Sequence, residues 1–324
     1  MNDKAVSVLE NYDMEVIRTF KGRGTIICDT TKGLRVLKEY NGSTEKLELL
    51  ELLQEKVNHI VRTDMIVRNK EGELFCKDSD GITYIVKEQI EGRDCNYKNE
   101  EEILQAFRAM AKLHQTMRDN SDMAGSMPIH YYVEEMEKHT KECRRVRNYL
   151  RRLKIKTDFE RALLQEYNYF MERAEDIMQK AMEEDREEYE NFVRTNGFFC
   201  HGDYQYHNVI FVKNDIAVIN LERFAPDSGV RDFYLLFRKI SEKSDWSLAL
   251  GEKMLAAYES NRSFTPMERK QLYYRLAYPD KFWKIVNFYY NSKKSWIPDK
   301  NMEKLENLVN QERAKEKLLK AIFA

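Results

Sequence analysis

Residues that interrupt regular structure are scarce in this chain. Five prolines and twelve glycines are spread over 324 positions, too few for long linkers or extended disorder. No stretch approaches the ~18–20 consecutive apolar residues of a membrane-spanning helix. The opening segment MNDKAVSVLENYDMEV is too polar for a secretory leader, which points to synthesis in the cytoplasm without a signal peptide. Five cysteines (Cys28, Cys76, Cys95, Cys143 and Cys200) form no Cys-x-x-Cys pair and are odd in number. That argues against structural zinc and a complete disulfide framework, and for reduced thiols. Net charge is nearly absent as well: 54 basic and 55 acidic residues leave −1. Nothing here attracts nucleic acid or an anionic membrane globally. The densest basic run, at 144–156, reads as the solvated face of a helix.

What is present is a change of periodicity. Residues 15–21, 25–29 and 34–40 are short, β-branched or alternating, with glycine-containing turns between them. Leu47, Leu50, Leu53 and Val57 then mark one helical face within 44–57, with Ser43 or Thr44 as its cap. Strands are expected near 64–69 and 82–87. After Gly92 the pattern turns helical, first over 99–118. A loop follows at 120–128, and long helices run to about 196. Within 158–182, Phe159, Leu163, Tyr167, Phe170, Ala174, Ile177 and Ala181 step by three or four. A strand pair interrupts at 208–212 and 216–220 before helices return. The expected class is α+β, with a β-rich N-terminal lobe and hinge over 1–91 and a helical lobe over 92–324.

The densest chemical signal is CHGDYQYHNVIFV at 200–212. Asp203 and Asn208 stand five residues apart just before a strand. Phosphoryl transfer from ATP needs a carboxylate to orient and deprotonate the attacking hydroxyl, and a neutral oxygen ligand for magnesium nearby. The catalytic loop of protein kinases spaces its Asp and Asn in the same way.

This loop resembles the His-Gly-Asp-x-x-x-x-Asn loop of aminoglycoside phosphotransferases, choline kinases and their relatives. Residues 201–211 together with INLERFAPDSGVRDFYLLFRKI at 219–240 resemble the CotS-type spore coat proteins of endospore-forming bacteria, a branch of the same superfamily. The resemblance runs from about residue 15 to about 290. It implies a bilobal protein-kinase-like fold of the aminoglycoside phosphotransferase type, with ATP and Mg2+ as cofactors and Asp203 as catalytic base. Lys38, on an apolar strand face with Leu34 and Val36, would contact the α- and β-phosphates. Glu51 is preferred over Glu48 and Glu55 as its helix partner. Gly22 and Gly24 would let backbone amides approach phosphates, and backbone groups around Glu88, from Lys87 to Gln89, would meet adenine. His201, His207 and His114 read as packing or hydrogen-bonding residues, and Asp232 as a brace for the loop.

One position departs from the family pattern. The usual Ile-Asp-Phe or Ile-Asp-Trp, whose aspartate binds metal, is here Ile219-Asn220-Leu221-Glu222. Asn208, Asn220 and Glu222 are the candidate metal ligands, and a neutral amide at 220 removes a full charge where a hard cation needs anionic oxygen. Asn220 is thus the limiting defect of an impaired or altered metal site. Three functions stay open: a spore coat-associated phosphotransferase acting on an unidentified acceptor, a non-catalytic scaffold that binds other coat proteins, and a small-molecule kinase of the aminoglycoside or choline type.

Overall fold

The computed structural model describes residues 3–213, 215–291 and 298–323; the remaining positions of the two expected lobes lie outside the described residues. The chain packs as two compact units, Met1–Pro128 with Arg194–Asp232, and Ile129–Val193 with Phe233–Ala324. The lobe boundary expected at 91/92 follows the change of periodicity. Packing instead joins the β-rich stretch to the later strand pair, because short strands from each lie side by side.

In the first unit a short helix α1 (Asp3–Ser7) precedes the meander β1 (Val16–Lys21), β2 (Ile26–Thr30) and β3 (Gly33–Glu39). Its reversals place Gly24 and Gly33 at φ +68° and +91°, a region that costs a residue without Cβ nothing. Helix α2 (Thr44–Asn58) starts where the Ser43 hydroxyl accepts the Lys46 N–H, and it buries Leu47, Leu50, Leu53 and Val57. Next come β4 (Arg62–Thr63), β5 (Ile66–Val67), β6 (Cys76–Lys77), β7 (Thr83–Glu88) and β8 (Arg93–Asp94), then α3 (Glu100–Thr116) and α4 (Asp122–Ser126). The main sheet is antiparallel, ordered β1-β2-β3-β7-β5, with β6 also on β7. Val36 faces Lys87 across the β3–β7 ladder, and Lys38 faces Ile85. Strand alternation therefore puts Lys38 and Lys87 on one sheet face as diagonal neighbours. The opposite face carries Leu37, Tyr84 and Val86, which pack with Val8, Leu9 and Tyr12.

Helices α5 (Tyr132–Arg152), α6 (Asp158–Met182) and α7 (Arg186–Asn196) follow, then β9 (Phe199–Cys200), β10 (Val209–Val212), β11 (Asp215–Val218) and β12 (Ala225–Pro226). The β10–β11 hairpin lies between β4, parallel to β11, and β8, antiparallel to β10. These two-residue flanking strands carry almost no sequence signal, yet they fix the hairpin beside the first sheet's connections. The chain ends in α8 (Val230–Ser241), α9 (Leu248–Glu259), α10 (Pro266–Ala277), α11 (Asp280–Asn291) and α12 (Pro298–Phe323).

The second unit is a helical core. Thr157 and Glu160 form a reciprocal capping box at the start of α6. The apolar stripe of α6 packs with Val146 and Leu150 of α5 and with Phe282 and Ile285 of α11. Phe170 and Phe282 stack with ring centroids 4.7 Å apart. Arg144 of the basic run pairs with Glu175, as an ion-paired helix face should. All five cysteines are buried and none is in a disulfide. Among the described residues no helix is long and apolar enough to cross a membrane. Phe282→Ala should cost about 3–5 kcal/mol, the range for deleting a fully buried aromatic, read as a lower denaturant midpoint; a loss under about 1 kcal/mol would show that this stack does not anchor the unit.

Candidate active site

The loop between β9 and β10 is shaped by a buried carboxylate. Asp232 Oδ2 accepts the His201 N–H at 2.6 Å and Oδ1 the Gly202 N–H at 2.9 Å. The His114 Nε2–H donates to Oδ2 at 3.0 Å. Burial works to raise the Asp232 pKa, but the hydrogen bond and field of His114, with the backbone amide of His201, hold it below the usual carboxylate range. Gly202 turns the chain at φ +79°, where a Cβ would lie 2.1 Å from the Arg223 carbonyl oxygen, so glycine is required. His201 is consumed within the loop: Nδ1 accepts the Asp203 N–H at 3.1 Å and Nε2 donates to the Ile219 carbonyl at 2.9 Å. Neither nitrogen is left to act as a base.

Asp203 is half-buried. Its Oδ1 accepts from Gln205 Nε2 at 2.5 Å, and Oδ2 lies 3.6 Å from the Arg223 guanidinium. Asn208 Nδ2 donates to the Asp203 carbonyl at 2.8 Å, and this bond ties together the two residues of the spaced pair.

Beside this loop a polar cluster closes on itself. Lys38 Nζ lies 3.2 Å from Glu222 Oε2. The other Glu222 oxygen is ion-paired to Lys87. Lys87 Nζ, on a side chain only 1% exposed, also donates to Asp64 Oδ2 at 2.5 Å and to Asn220 Oδ1 at 3.1 Å. Asp64 receives the Asn220 backbone N–H at 3.1 Å. Asn220 Nδ2 donates to Asn208 Oδ1 at 3.0 Å. Asn220 sits at φ +67°, a left-handed conformation that asparagine and aspartate tolerate better than other side chains. Burial opposes the charge on Glu222, yet Lys87 and Lys38 outweigh it and hold the carboxyl at about 2. Burial likewise disfavours the Lys87 ammonium, and Asp64 and Glu222 more than compensate, raising its pKa. Asp64 is pushed up by burial first, against the pull of Lys87, and by its neighbour Glu222.

The sequence expectations divide on this geometry. Lys38, Asn208, Asn220 and Glu222 come together, with Asp203 linked through Asn208. Glu51 does not join them: its carboxylate pairs with Arg68, because α2 turns Leu47, Leu50 and Gln54 inward instead. Gln54 is bonded to the Asp64 carbonyl and the Ile66 N–H. The partner of Lys38 is therefore Glu222. Gly22 closes the β1–β2 turn with its N–H on the Thr25 carbonyl at 2.9 Å, and a Cβ on Gly24 would meet open space. Glu88 is exposed; its N–H is used by the Met65 carbonyl and that of Gln89 by the Leu34 carbonyl, so neither amide is left for a base. Sequence reasoning missed the side chains of Lys87 and Asp64, and named Lys87 only for its backbone. The signal available for Lys87 was its place in the apolar strand run YIVK, in alternation with Ile85.

Divalent metal does not fit these residues as they stand. Among the described residues no group of three or more His, Cys, Asp or Glu side chains converges. The Asn208 oxygen is occupied by an amide donor, the Asn220 oxygen by an ammonium, and Glu222 by two lysines. The formal charges of Lys38, Lys87, Asp64 and Glu222 cancel, so a cation would meet no net negative field.

The fold and loop define a protein of the aminoglycoside phosphotransferase type of kinase fold. An aminoglycoside phosphotransferase from Alicyclobacillus acidocaldarius superposes with a TM-score of 0.85 at 17% identity, covering 98% of this chain and 94% of that one. Amicoumacin kinase, solved with AMP-PNP, Ca2+ and Ami, gives 0.63 at 13% identity, with 98% and 94% covered. The family described as "Spore coat putative kinase YutH" matches residues 6–322, and the chain belongs to that family. Spore coat protein S of Bacillus subtilis is 26% identical over 159 residues, 46% of this chain. That match takes in 45% of the relative's length.

The Asp232 brace makes a pH prediction. Its folded pKa lies below the ordinary value of 3.8, so its contribution is present above about pH 4 and is lost as pH falls through the depressed folded value. Asp232→Asn should lose about 2–3 kcal/mol at neutral pH, as for hydrogen bonds to a charged acceptor, and should show a flatter acid limb in a stability profile. A variant with an unchanged acid limb would remove Asp232 as the brace.

Proposed function

We propose that this chain is a nucleotide-binding, kinase-fold protein of the spore coat whose binding of ATP does not depend on magnesium and whose phosphoryl transfer is slow or absent. The observation that carries this reading is the closed Asn208–Asn220–Lys87–Glu222 network. In it each oxygen that would hold a metal in this fold already has an internal partner. Lys38, half-exposed on its sheet face, supports a role in holding phosphate oxygens. The family membership and the likeness to Spore coat protein S support placement in the coat, with other coat proteins as partners. Amicoumacin kinase, solved with AMP-PNP and Ca2+, supports an adenine nucleotide as ligand.

One observation favours residual catalysis as a second reading. Asp203 keeps a braced loop and a partly accessible carboxylate, which suits a base that orients a hydroxyl of a small molecule or protein side chain. The acidic segment at 183–190 gives no specific support to a polycationic acceptor, because two of its carboxylates are engaged internally while Glu183, Glu187 and Glu188 stay exposed to solvent. Glu184 pairs with Lys270 and accepts from Tyr274, and Glu190 pairs with Arg186.

Calorimetry with ATP tests the first reading. Mg2+ should change the dissociation constant by less than about threefold, under ~0.7 kcal/mol; a gain of ~10-fold or more would overturn it. Where turnover is measurable, Asp203→Asn should reduce it by ~10²-fold or more with the melting temperature intact. Unchanged turnover would remove Asp203 from the mechanism.

A further inference from the structure

Lys87 is an unusual residue at its position. It lies on a central strand of the main sheet, between β3 and β5, its side chain is 1% exposed, and it enters the same cluster as the candidate metal ligands. A buried ammonium is costly unless it is surrounded by oxygen acceptors. Here three are supplied by two separate segments: Asp64 after β4, and Asn220 and Glu222 after β11. Two of these, Asn220 and Glu222, are candidate metal ligands. An ammonium bound to two carboxylates and one amide oxygen is, in charge and donor type, a monovalent substitute for a hydrated divalent ion.

We propose that the Lys87 ammonium is the resident cation of this site, taking the place of the divalent ion and locking Asn220 onto Asn208. This deepens the magnesium-independent reading above and rests on it for the identity of the site. It also changes the role given to Asn220 on sequence grounds. The neutral side chain is not the sole defect. With Lys87 in place, an aspartate at 220 would gain a stronger bond to the ammonium while losing the donor bond to Asn208 Oδ1, and the backbone conformation accepts aspartate as readily as asparagine. Asn220→Asp alone therefore restores no metal site. Removing the ammonium as well leaves Asp64, Glu222 and the new carboxylate around one space, with Lys38 as the remaining positive charge. Three carboxylates and the Asn208 oxygen form a donor set that hard divalent cations accept.

The test uses Mn2+ as probe, on the full chain without nucleotide, by electron paramagnetic resonance of free Mn2+ and by thermal melting. The natural protein and Asn220→Asp should leave the free Mn2+ signal unchanged and show no Mn2+-dependent rise in melting temperature. Lys87→Met should melt lower than the natural protein. The double variant Lys87→Met with Asn220→Asp should bind one Mn2+ per chain, ~10-fold or more tighter than Asn220→Asp alone, and regain melting temperature as Mn2+ is added. Where the methionine variants do not fold, Lys87→Gln with Asn220→Asp keeps a neutral amide donor for Asp64 and carries the same expectation. A stoichiometric Mn2+ site in the natural protein that disappears in Glu222→Gln would overturn the proposal. So would a folded double variant that binds no more Mn2+ than Asn220→Asp. Because nucleotide is absent throughout, a chain that bound no ATP would end the nucleotide reading and leave this result standing.

Discussion

The ion cluster around Lys87 sets the conditions for everything near it. Moving a single ammonium from water into a low-dielectric interior costs on the order of 20 kcal/mol in the idealised limit, and still several after relaxation. That penalty is offset only when acceptors surround the charge. Asp64, Glu222 and Asn220 supply them, and the segments that carry them are fixed accordingly. The turn after β11 adopts its left-handed step at Asn220, the segment after β4 is held through Gln54, and β7 brings the lysine itself. Breaking such a pair from one side typically costs about 3–5 kcal/mol. The cluster is thus a rigid element with little freedom to open for a metal ion.

A second buried charge, on Asp232, organises the adjoining loop through the His201 and Gly202 amides. The two clusters meet at Ile219–Asn220, where the His201 ring bonds the Ile219 carbonyl and Asp64 bonds the Asn220 amide. The loop of Asp203 and the position of Asn220 are therefore set by carboxylates outside the motif. This arrangement preserves the geometry of a kinase fold while its internal charges are already matched. On the function proposed above, a protein built this way keeps a part-exposed lysine and a braced aspartate and still gains little from magnesium.

Local features were legible in the sequence, and long-range pairings were not. Asp203 and Asn208 are five residues apart, so their spacing alone placed them on one loop. The alternation of Leu34, Val36 and Lys38 placed the lysine on the correct sheet face. The partner of Lys38 was misassigned to Glu51 because helical periodicity identifies a face but not which charge that face presents inward; α2 presents leucines and Gln54. The role of the Lys87 side chain escaped notice because its hydrogen-bond partners lie 23 and 133 residues away, and a lysine at the end of a strand reads as solvent-facing. The grouping of the β10–β11 hairpin with the N-terminal sheet depends on two-residue strands, too short to carry a pattern.

Crystals of the natural protein grown with a non-hydrolysable ATP analogue and Mn2+, measured at a wavelength where manganese scatters anomalously, would show which cation the site holds. Lys87 Nζ should remain bonded to Asp64, Glu222 and Asn220, with the Asn220 amide still on Asn208 and no manganese peak among these residues. A manganese ion bound by Asn208, Asn220 and Glu222, with the Lys87 side chain turned away, would contradict this.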